Sequence, residues 1–188
     1  DEIGDTQLTS EALEHYRAVA KHNHIPGTHN LAFKTFYGEN TEPDKKQGLM
    51  LFIKTIEIWE KSDNRSLYTD TITRVYNELG CYYFLLGESK TAEAYFSKSY
   101  DIEKSQPRIS PQAQSTGISL ALLQTQHHKA HQALTTLTEL VTKSDNPGAY
   151  AYLAHMHEKG IGTEKNITIA KKYHILALQH GWTFAAVQ

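Results

Sequence analysis

The sequence predicts an all-α protein that is built from stacked helical hairpins. In residues 147–181, small and large apolar residues recur at intervals of three and four, which is the spacing of amphipathic helices. The run Gly160-Ile161-Gly162 interrupts this pattern, so the stretch should form two helices joined by a turn. A single hairpin has an apolar face with nothing to cover it, and it becomes stable only when it stacks on further hairpins. We therefore expect related hairpins upstream.

The same stretch resembles a Sel-one-like repeat, the longer-turned relative of the tetratricopeptide repeat. The resemblance spans one whole repeat, with Ala154 where the family usually has Gly. The positions that carry it are Leu153-Ala154, Glu158-Lys159-Gly160-Ile161-Gly162, Ala170, Tyr173, Ala177 and Gly181. It implies a right-handed α-solenoid of tetratricopeptide and Sel-one-like hairpins, which we expect to form one domain over residues 1–188.

The N-terminal part of the chain predicts a leading helix and a degenerate Sel-type repeat. Thr9 or Ser10 can cap a helix over 9–24, and Pro26-Gly27 is expected to stop it. Residues 28–61 keep the spacing of the repeat at 147–181, and Asp44 with Gln47 resembles a capping box for the second helix. The positions that match are Leu31-Ala32, Gly38, Gly48, Phe52 and Thr55, and the inward residues expected in the second helix are Leu51, Phe52, Ile56 and Trp59.

Two tetratricopeptide repeats are predicted between the Sel-type repeats, over 66–106 and 110–145. In the first, Gly80 and Ala92 should allow two helices to approach closely, and Phe96 should fill the groove toward the next hairpin. The second opens at Ser110-Pro111, a helix cap with proline in the first turn. The first repeat rests on Tyr76, Leu79, Gly80, Tyr83, Ala92, Phe96 and Pro107, and the second on Gly117, Leu120, Ala130, Leu134 and Leu137.

The chain is also expected to be a piece of a longer protein. After the Sel-type repeat, residues 182–188 begin a further repeat, which Ala185 or Ala186 would open, and the sequence then stops. Further repeats of the same longer chain would stack on this end.

Composition and charge exclude several classes of partner. The chain has 188 residues and a net charge of −2, so it offers no basic field for nucleic acid and no polybasic strip for a membrane. No apolar run approaches the roughly 20 residues that cross a bilayer. The single Cys81 cannot form a disulfide within the chain. The compartment stays undetermined, with an exported or periplasmic bacterial protein favoured slightly over a cytoplasmic one.

The residues that could carry chemistry do not form a known catalytic or metal motif. His127 and His131 would share a helix face if a helix began near Gln126, but no Cys or carboxylate stands beside them at ligand spacing. His155-Met156-His157-Glu158 has the letters of a metalloprotease helix in the wrong order, and we expect His157 to pack in the core. We expect Cys81 to be a small buried residue. The sequence therefore predicts no catalytic residue, no metal site and no cofactor.

The resemblance implies a concave face, lined by the first helices of successive hairpins, on which a partner protein or peptide binds. Only Arg74 and Asn77 suit the family's carboxylate clamp, so recognition of a free C-terminal carboxylate is not expected. The residues that the resemblance places on this face are Arg74, Asn77, Cys81, Phe84, Gln114, Ser115, Tyr152, His155 and Glu158. The resemblance therefore implies that the protein is a non-enzymatic scaffold or adaptor that binds this partner.

Two alternatives from other classes stay open. The first is a hydrolase or ligand-modifying enzyme that uses His155 and Glu158 of the groove with a third titratable group. The second is a structural assembly element that stacks through an apolar end surface at residues 182–187.

Overall fold

The computed structural model describes residues 2–38, 42–106 and 108–183. Within these ranges the chain forms nine α-helices, one short 3₁₀ helix at Arg65–Tyr68 and no strand. The helices are α1 Glu2–Lys21, α2 Ile25–Tyr37, α3 Lys45–Glu60, α4 Thr69–Leu85, α5 Ser89–Glu103, α6 Pro111–Gln126, α7 Ala130–Lys143, α8 Pro147–Lys159 and α9 Ile167–Gln179. The predicted all-α fold of helical hairpins is confirmed. The expectations for Pro107, Ala185, Ala186 and the rest of 184–188 lie outside the described residues.

The chain divides into two compact units, residues 1–79 and 80–188. The first contains α1, α2, α3, the 3₁₀ helix and most of α4. The second contains the last residues of α4 and α5 to α9.

In the first unit, the junction between α1 and α2 differs from the sequence prediction. The helix expected to begin at Thr9 or Ser10 begins at Glu2, and it ends at Lys21. Pro26 lies in the first turn of α2 and does not stop α1. His24 caps α2, because its Nδ1 accepts a hydrogen bond from the Gly27 N–H at 3.1 Å. A proline is favourable there because the first N–H groups of a helix have no partner within it.

The hairpins α2/α3 and α8/α9 share the same turn and cap geometry. Gly38 and Gly160 end α2 and α8 in the left-handed region, both at φ 75°, where glycine has no steric cost. Each donates its N–H to the carbonyl oxygen four residues earlier. Asp44 and Asn166 then cap the second helices by accepting the N–H three residues later, at 2.9 and 3.0 Å. When residues 28–61 are aligned with 147–181 by the repeat spacing, the left-handed glycine of one hairpin therefore falls on that of the other.

In α3, one of the four residues expected to point inward is fully buried. Phe52 is buried, whereas Leu51, Ile56 and Trp59 are half-buried. The Trp59 Nε1–H donates to the Arg65 carbonyl oxygen at 3.0 Å, so this indole spans the edge of the hairpin. A polar partner for the indole N–H is the usual reason for such a position.

In the second unit, paired helices approach closely where a glycine faces an aromatic ring. A Cβ atom added to Gly80 would lie 2.6 Å from Cε1 of Phe96, and one added to Gly117 would lie 2.8 Å from Cε2 of Tyr100. The predicted close approach at Gly80 is confirmed. The buried core of this unit consists of Ala92, Phe96, Tyr100, Ile109, Ala113, Leu120, Ala121, Leu123, Ala133, Leu137, Leu140, Ala149, Leu153 and Met156.

The second predicted tetratricopeptide hairpin has its cap where expected and a partly different set of inward residues in α7. Ser110 Oγ accepts the Ala113 N–H at 3.1 Å, and Pro111 is the first residue of α6. Leu137 is buried as expected and Ala133 and Leu140 are buried as well, whereas Ala130 and Leu134 are half-buried. Ala130 is the first residue of α7, so it lies at the end of the helix.

A polar cluster joins α5 to the turn between α6 and α7. His127 is the C-terminal cap of α6, and α7 begins at Ala130 rather than near Gln126, so the condition under which His127 and His131 would share a helix face is not met. His127 Nδ1 is hydrogen bonded to Glu93 Oε2, and Lys129 Nζ donates to Glu93 Oε1 at 2.8 Å. Burial raises the pKa of Glu93, but the hydrogen bonds from Lys129 and His127 outweigh it and hold the pKa below its usual 4.5.

The contact between Gly80 and Phe96 predicts a specific double-mutant result. Gly80→Ala should lower the free energy of unfolding by about 1–3 kcal/mol, because the new methyl group overlaps the ring. In a Phe96→Leu background the same change should cost less, since the ring edge that it overlaps is absent. Urea unfolding of the wild type, both single variants and the double variant measures the coupling. Equal costs of Gly80→Ala in the two backgrounds would contradict this contact.

The polar cluster predicts acid sensitivity. Because the pKa of Glu93 is lowered in the folded state, its carboxylate stabilises the fold above pH about 4.5. That contribution should be lost as the pH falls below this value. In Glu93→Gln, the free energy of unfolding should be lower near neutral pH and should fall less steeply below pH about 4.5 than in the wild type. Glu164→Gln, an exposed carboxylate before α9, is the matched control and should keep the wild-type slope.

Candidate functional site

The second unit contains an apolar cavity of about 600 Å³. It is formed by the last turn of α4, by α5, by α6 and by one side chain of α8. A volume of this size lies within the range of roughly 300–1,000 Å³ that is usual for ligand pockets. The residues that line it are Cys81, Phe84, Leu85, Phe96, Ser119, Leu122, Leu123, Thr125, Gln126 and Tyr152.

The cavity combines buried core side chains with large apolar side chains that are exposed to solvent. Phe96 and Leu123 belong to the core, so the innermost wall is fixed by the packing of the helices. Phe84, Leu85 and Leu122 are each at least half exposed. Leaving apolar area in contact with water costs about 25 cal/mol per Å². A group that covers these side chains would therefore bind favourably.

The polar atoms at the cavity belong to uncharged residues. Tyr152 is half-buried, and its hydroxyl donates to Thr125 Oγ1 at 2.9 Å, which ties α8 to α6. Ser119 and Gln126 add a hydroxyl and an amide to the lining. None of the lining residues carries a formal charge. The site therefore suits a ligand with an apolar body and a few groups that can form hydrogen bonds.

Three of the residues predicted for the concave face meet in this cavity: Cys81, Phe84 and Tyr152. The expectation that Cys81 is buried is wrong, because its side chain lies on the open face of α4. Sequence reasoning missed six lining residues: Leu85, Ser119, Leu122, Leu123, Thr125 and Gln126. The i, i+3 spacing of Ser119, Leu122 and Thr125, which places them on one face of α6, is the signal that could have identified that part of the lining.

Gln114 and Ser115 lie outside the cavity lining. Gln114 Oε1 accepts a hydrogen bond from Asn146 Nδ2 at 3.0 Å, and Asn146 in turn caps α8. Ser115 donates to the Pro111 carbonyl oxygen at 3.3 Å. These hydrogen bonds lie near the first turns of α6 and α8.

His155 and Glu158, the residues of the hydrolase alternative, also lie outside the lining. His155 is exposed. Glu158 Oε1 accepts a hydrogen bond from Lys159 Nζ at 3.1 Å, and Glu158 Oε2 lies 3.9 Å from His174 Nε2. The hydrogen bond from Lys159 holds the pKa of Glu158 below its usual range. Glu158 is thus part of a surface ion pair.

Arg74 and Asn77 belong to the first unit. Arg74 is exposed, and Asn77 is half-buried. Burial lowers the pKa of His29 in α2, and the charge on Arg74 adds to this effect. An exposed aromatic pair also lies in this unit: the rings of Phe33 and Tyr37 are 4.6 Å apart. Sequence reasoning did not single out that pair, although its i, i+4 spacing marks a shared helix face.

The remaining sequence candidates are accounted for by packing. The His157 ring stacks on Tyr173 with centroids 5.7 Å apart, as expected for a packed position, and its Nδ1 is buried without a hydrogen-bond partner.

Within residues 2–38, 42–106 and 108–183, no three His, Cys, Asp or Glu side chains are grouped so that they could hold a metal ion. In the same ranges, none of the helices has the length and apolar content that crossing a bilayer requires.

Comparison with known proteins gives a family and a fold. Residues 90–186, just over half of the chain, match the family model described as the RMD9 middle domain. No curated protein matches the chain.

Three solved structures resemble this one. A protective antigen of uropathogenic Escherichia coli, c5321, which displays an SLR fold, superposes with a TM-score of 0.65 at 14% identity and covers 90% of this chain. A Sel1 repeat protein from Oxalobacter formigenes gives 0.62 at 16% identity over 92% of this chain. BtubC (BKLC) from P. vanneervenii gives 0.63 at 15% identity over 94% of this chain.

The chain spans 33% of the length of the E. coli antigen, 64% of the Oxalobacter protein and 72% of BtubC. At these identities the likeness establishes the fold alone. The predicted resemblance to Sel-one-like repeats is confirmed at the level of the fold. The chain belongs to the family described as the RMD9 middle domain, and its fold is that of the Sel1-like helical repeats.

Proposed function

We propose that this chain is a binding scaffold that holds an apolar segment of a partner protein in the cavity of the second unit. The observation that carries the proposal is the exposure of Phe84, Leu85 and Leu122 around a preformed apolar cavity. Sel1-like helical-repeat proteins are in general protein-interaction scaffolds, which supports this class of function. The chemistry of the partner and the residues that contact it are also part of this proposal.

The cavity is rigid on its inner side, which favours binding. Phe96 is buried against Gly80, so the wall that it forms does not have to be ordered when a partner arrives. Association loses less free energy when the receptor is already organised. The exposed side chains Phe84 and Leu122 can then close over the bound segment by changing rotamer.

The chemistry of the lining indicates the chemistry of the partner. A charged side chain placed in the cavity would lose its hydration and find no opposite charge among the lining residues. Leucine, methionine or phenylalanine side chains would instead bury their area against Leu122 and Phe84. Tyr152 and Gln126 can form hydrogen bonds with the backbone of the bound segment. We therefore propose an uncharged peptide segment with one or two large apolar anchors.

The other predicted contact residues stay predictions. They are Arg74 and Asn77 in the first unit, and Gln114, His155 and Glu158 outside the cavity lining. Nucleic acid and membrane insertion are not part of the proposal, and stacking with further repeats of a longer chain is an additional expectation.

Peptides selected by display against the wild-type protein test this proposal. A peptide that binds the cavity should bind Leu122→Glu at least about tenfold more weakly, because burial of one large apolar side chain contributes about 1.5–3 kcal/mol. Leu178→Glu is the matched control, since Leu178 on α9 has 52% exposure against 50% for Leu122 and lies outside the lining. The Leu178→Glu variant should bind the peptide with the affinity of the wild type. If the two variants bind the selected peptides equally well, the cavity is not the site.

The single cysteine reports on the same site without any substitution. Cys81 lines the cavity and is the only thiol in the chain. A saturating peptide should slow the alkylation of Cys81 by iodoacetamide severalfold. An unchanged alkylation rate with peptide bound would place the peptide elsewhere.

A further inference from the structure

A serine, a histidine and a glutamate of the second unit are arranged in the order of a hydrolase triad. Ser89 Oγ lies 2.9 Å from His127 Nε2, and His127 Nδ1 is hydrogen bonded to Glu93 Oε2. Nucleophile, base and orienting carboxylate are connected in this way in serine hydrolases of unrelated folds. We propose that Ser89 is a nucleophile and that this site hydrolyses small carboxylic esters, an activity separate from peptide binding in the apolar cavity.

Ser89 has the backbone setting that such a nucleophile needs. It is the first residue of α5, and it follows a turn in which Gly87 has a φ of 78°. The side chain of the capping residue Glu88 forms no cap hydrogen bond to the helix. The first N–H groups of a helix point outward along its axis and favour negative charge. They can stabilise an oxyanion that forms beside Ser89 Oγ.

His127 is held in the tautomer that can accept the serine proton. It ends α6, and His128 after it has a φ of 60°, so the turn that carries the imidazole is tight. Glu93 is buried and ionised, with its second oxygen held by Lys129 at 2.8 Å. A carboxylate accepts hydrogen bonds only, so Nδ1 carries the proton and Nε2 presents a lone pair to the Ser89 hydroxyl.

A surface cavity of about 660 Å³ is lined by His127 and Glu93 of this cluster. Ser89 is not in the lining itself, and its Oγ lies 2.9 Å from Nε2 of the lining residue His127. Apart from Ala94, the other lining residues are the polar residues Lys90, Ser97, Gln124, Lys129 and Gln132. These neighbours are polar, which distinguishes the cavity from the apolar one. It suits a short, polar acyl group, such as acetyl, better than a long alkyl chain.

The reaction is balanced with water as the second reactant. Ser89 Oγ attacks the ester carbonyl carbon while its proton passes to His127 Nε2. The bond to the alcohol oxygen breaks, the alcohol leaves with that proton, and the acyl group stays on Ser89. Water then attacks the acyl carbon and gives a proton to His127, which returns it to Ser89 Oγ as the carboxylic acid leaves. Glu93 acts as a positioning residue that stabilises the imidazolium.

Hydrolysis of p-nitrophenyl acetate by the full chain, followed by mass spectrometry after treatment with a fluorophosphonate, tests the proposal. The wild type should hydrolyse the ester, and the fluorophosphonate should modify Ser89. Ser89→Ala should lose activity at least about a hundredfold, in line with the loss of a positioned nucleophile and base. Ser144→Ala is the matched control, because it also removes a half-buried serine hydroxyl but lies outside the cavity lining, and it should keep the wild-type rate.

Two results would overturn the inference. One is a rate for Ser89→Ala equal to that of Ser144→Ala, and the other is modification by the fluorophosphonate at residues other than Ser89. Either would mean that the cluster only fastens α5 to the turn after α6. Because Ser89→Ala removes one half-buried hydroxyl group, the variant keeps its fold, and circular dichroism checks this. His127→Gln should lose activity to a similar extent as Ser89→Ala.

Discussion

The close approach of α4 and α5 at Gly80 and Phe96 is the constraint on which the second unit depends. A glycine at this position lets the Phe96 ring lie directly on the backbone of α4. The same arrangement recurs where Gly117 of α6 meets Tyr100 of α5. Two aromatic rings of α5, one helical turn apart, therefore each pack on a glycine of a neighbouring helix. A hairpin repeat needs such contacts because its helices have only their neighbours to bury them.

The candidate site follows from the same contact. Phe96 packs against Gly80 and also forms part of the wall of the apolar cavity. Phe96 thus belongs both to the packed core and to the wall of the cavity, so core packing fixes the inner wall of the proposed site. The polar cluster around Glu93 lies at the other end of α5 from the core aromatic Tyr100 and fastens the first turns of that helix to the loop after α6. One helix therefore organises both features.

Local signals in the sequence predicted the fold well, and contacts between distant residues explain what they missed. Caps and turns depend on a few neighbouring residues, so Ser110-Pro111, Asp44 and the glycines at 38 and 160 could be assigned from sequence. The role of Pro26 was assigned wrongly because proline is compatible both with the end of one helix and with the first turn of the next. The hairpin positions themselves were recognisable from spacing alone.

The site was only partly predictable for the same reason. Phe84 and Tyr152 were identified from the repeat pattern, but the exposure of Cys81 depends on which face of α4 stays uncovered. The pairing of His127 with Glu93 joins residues 34 positions apart in the chain, which no spacing rule detects. Leu122 looks like an ordinary core leucine until the neighbouring helices are in place, and its exposure then marks the cavity.

The most direct test of the account is a crystal structure of the chain with a display-selected peptide bound. We expect an apolar side chain of the peptide to lie between Phe84 and Leu122 and to contact the ring of Phe96, with its backbone near Tyr152. A peptide bound elsewhere, for example on the exposed pair Phe33 and Tyr37 of the first unit, with the cavity left uncovered, would contradict the account.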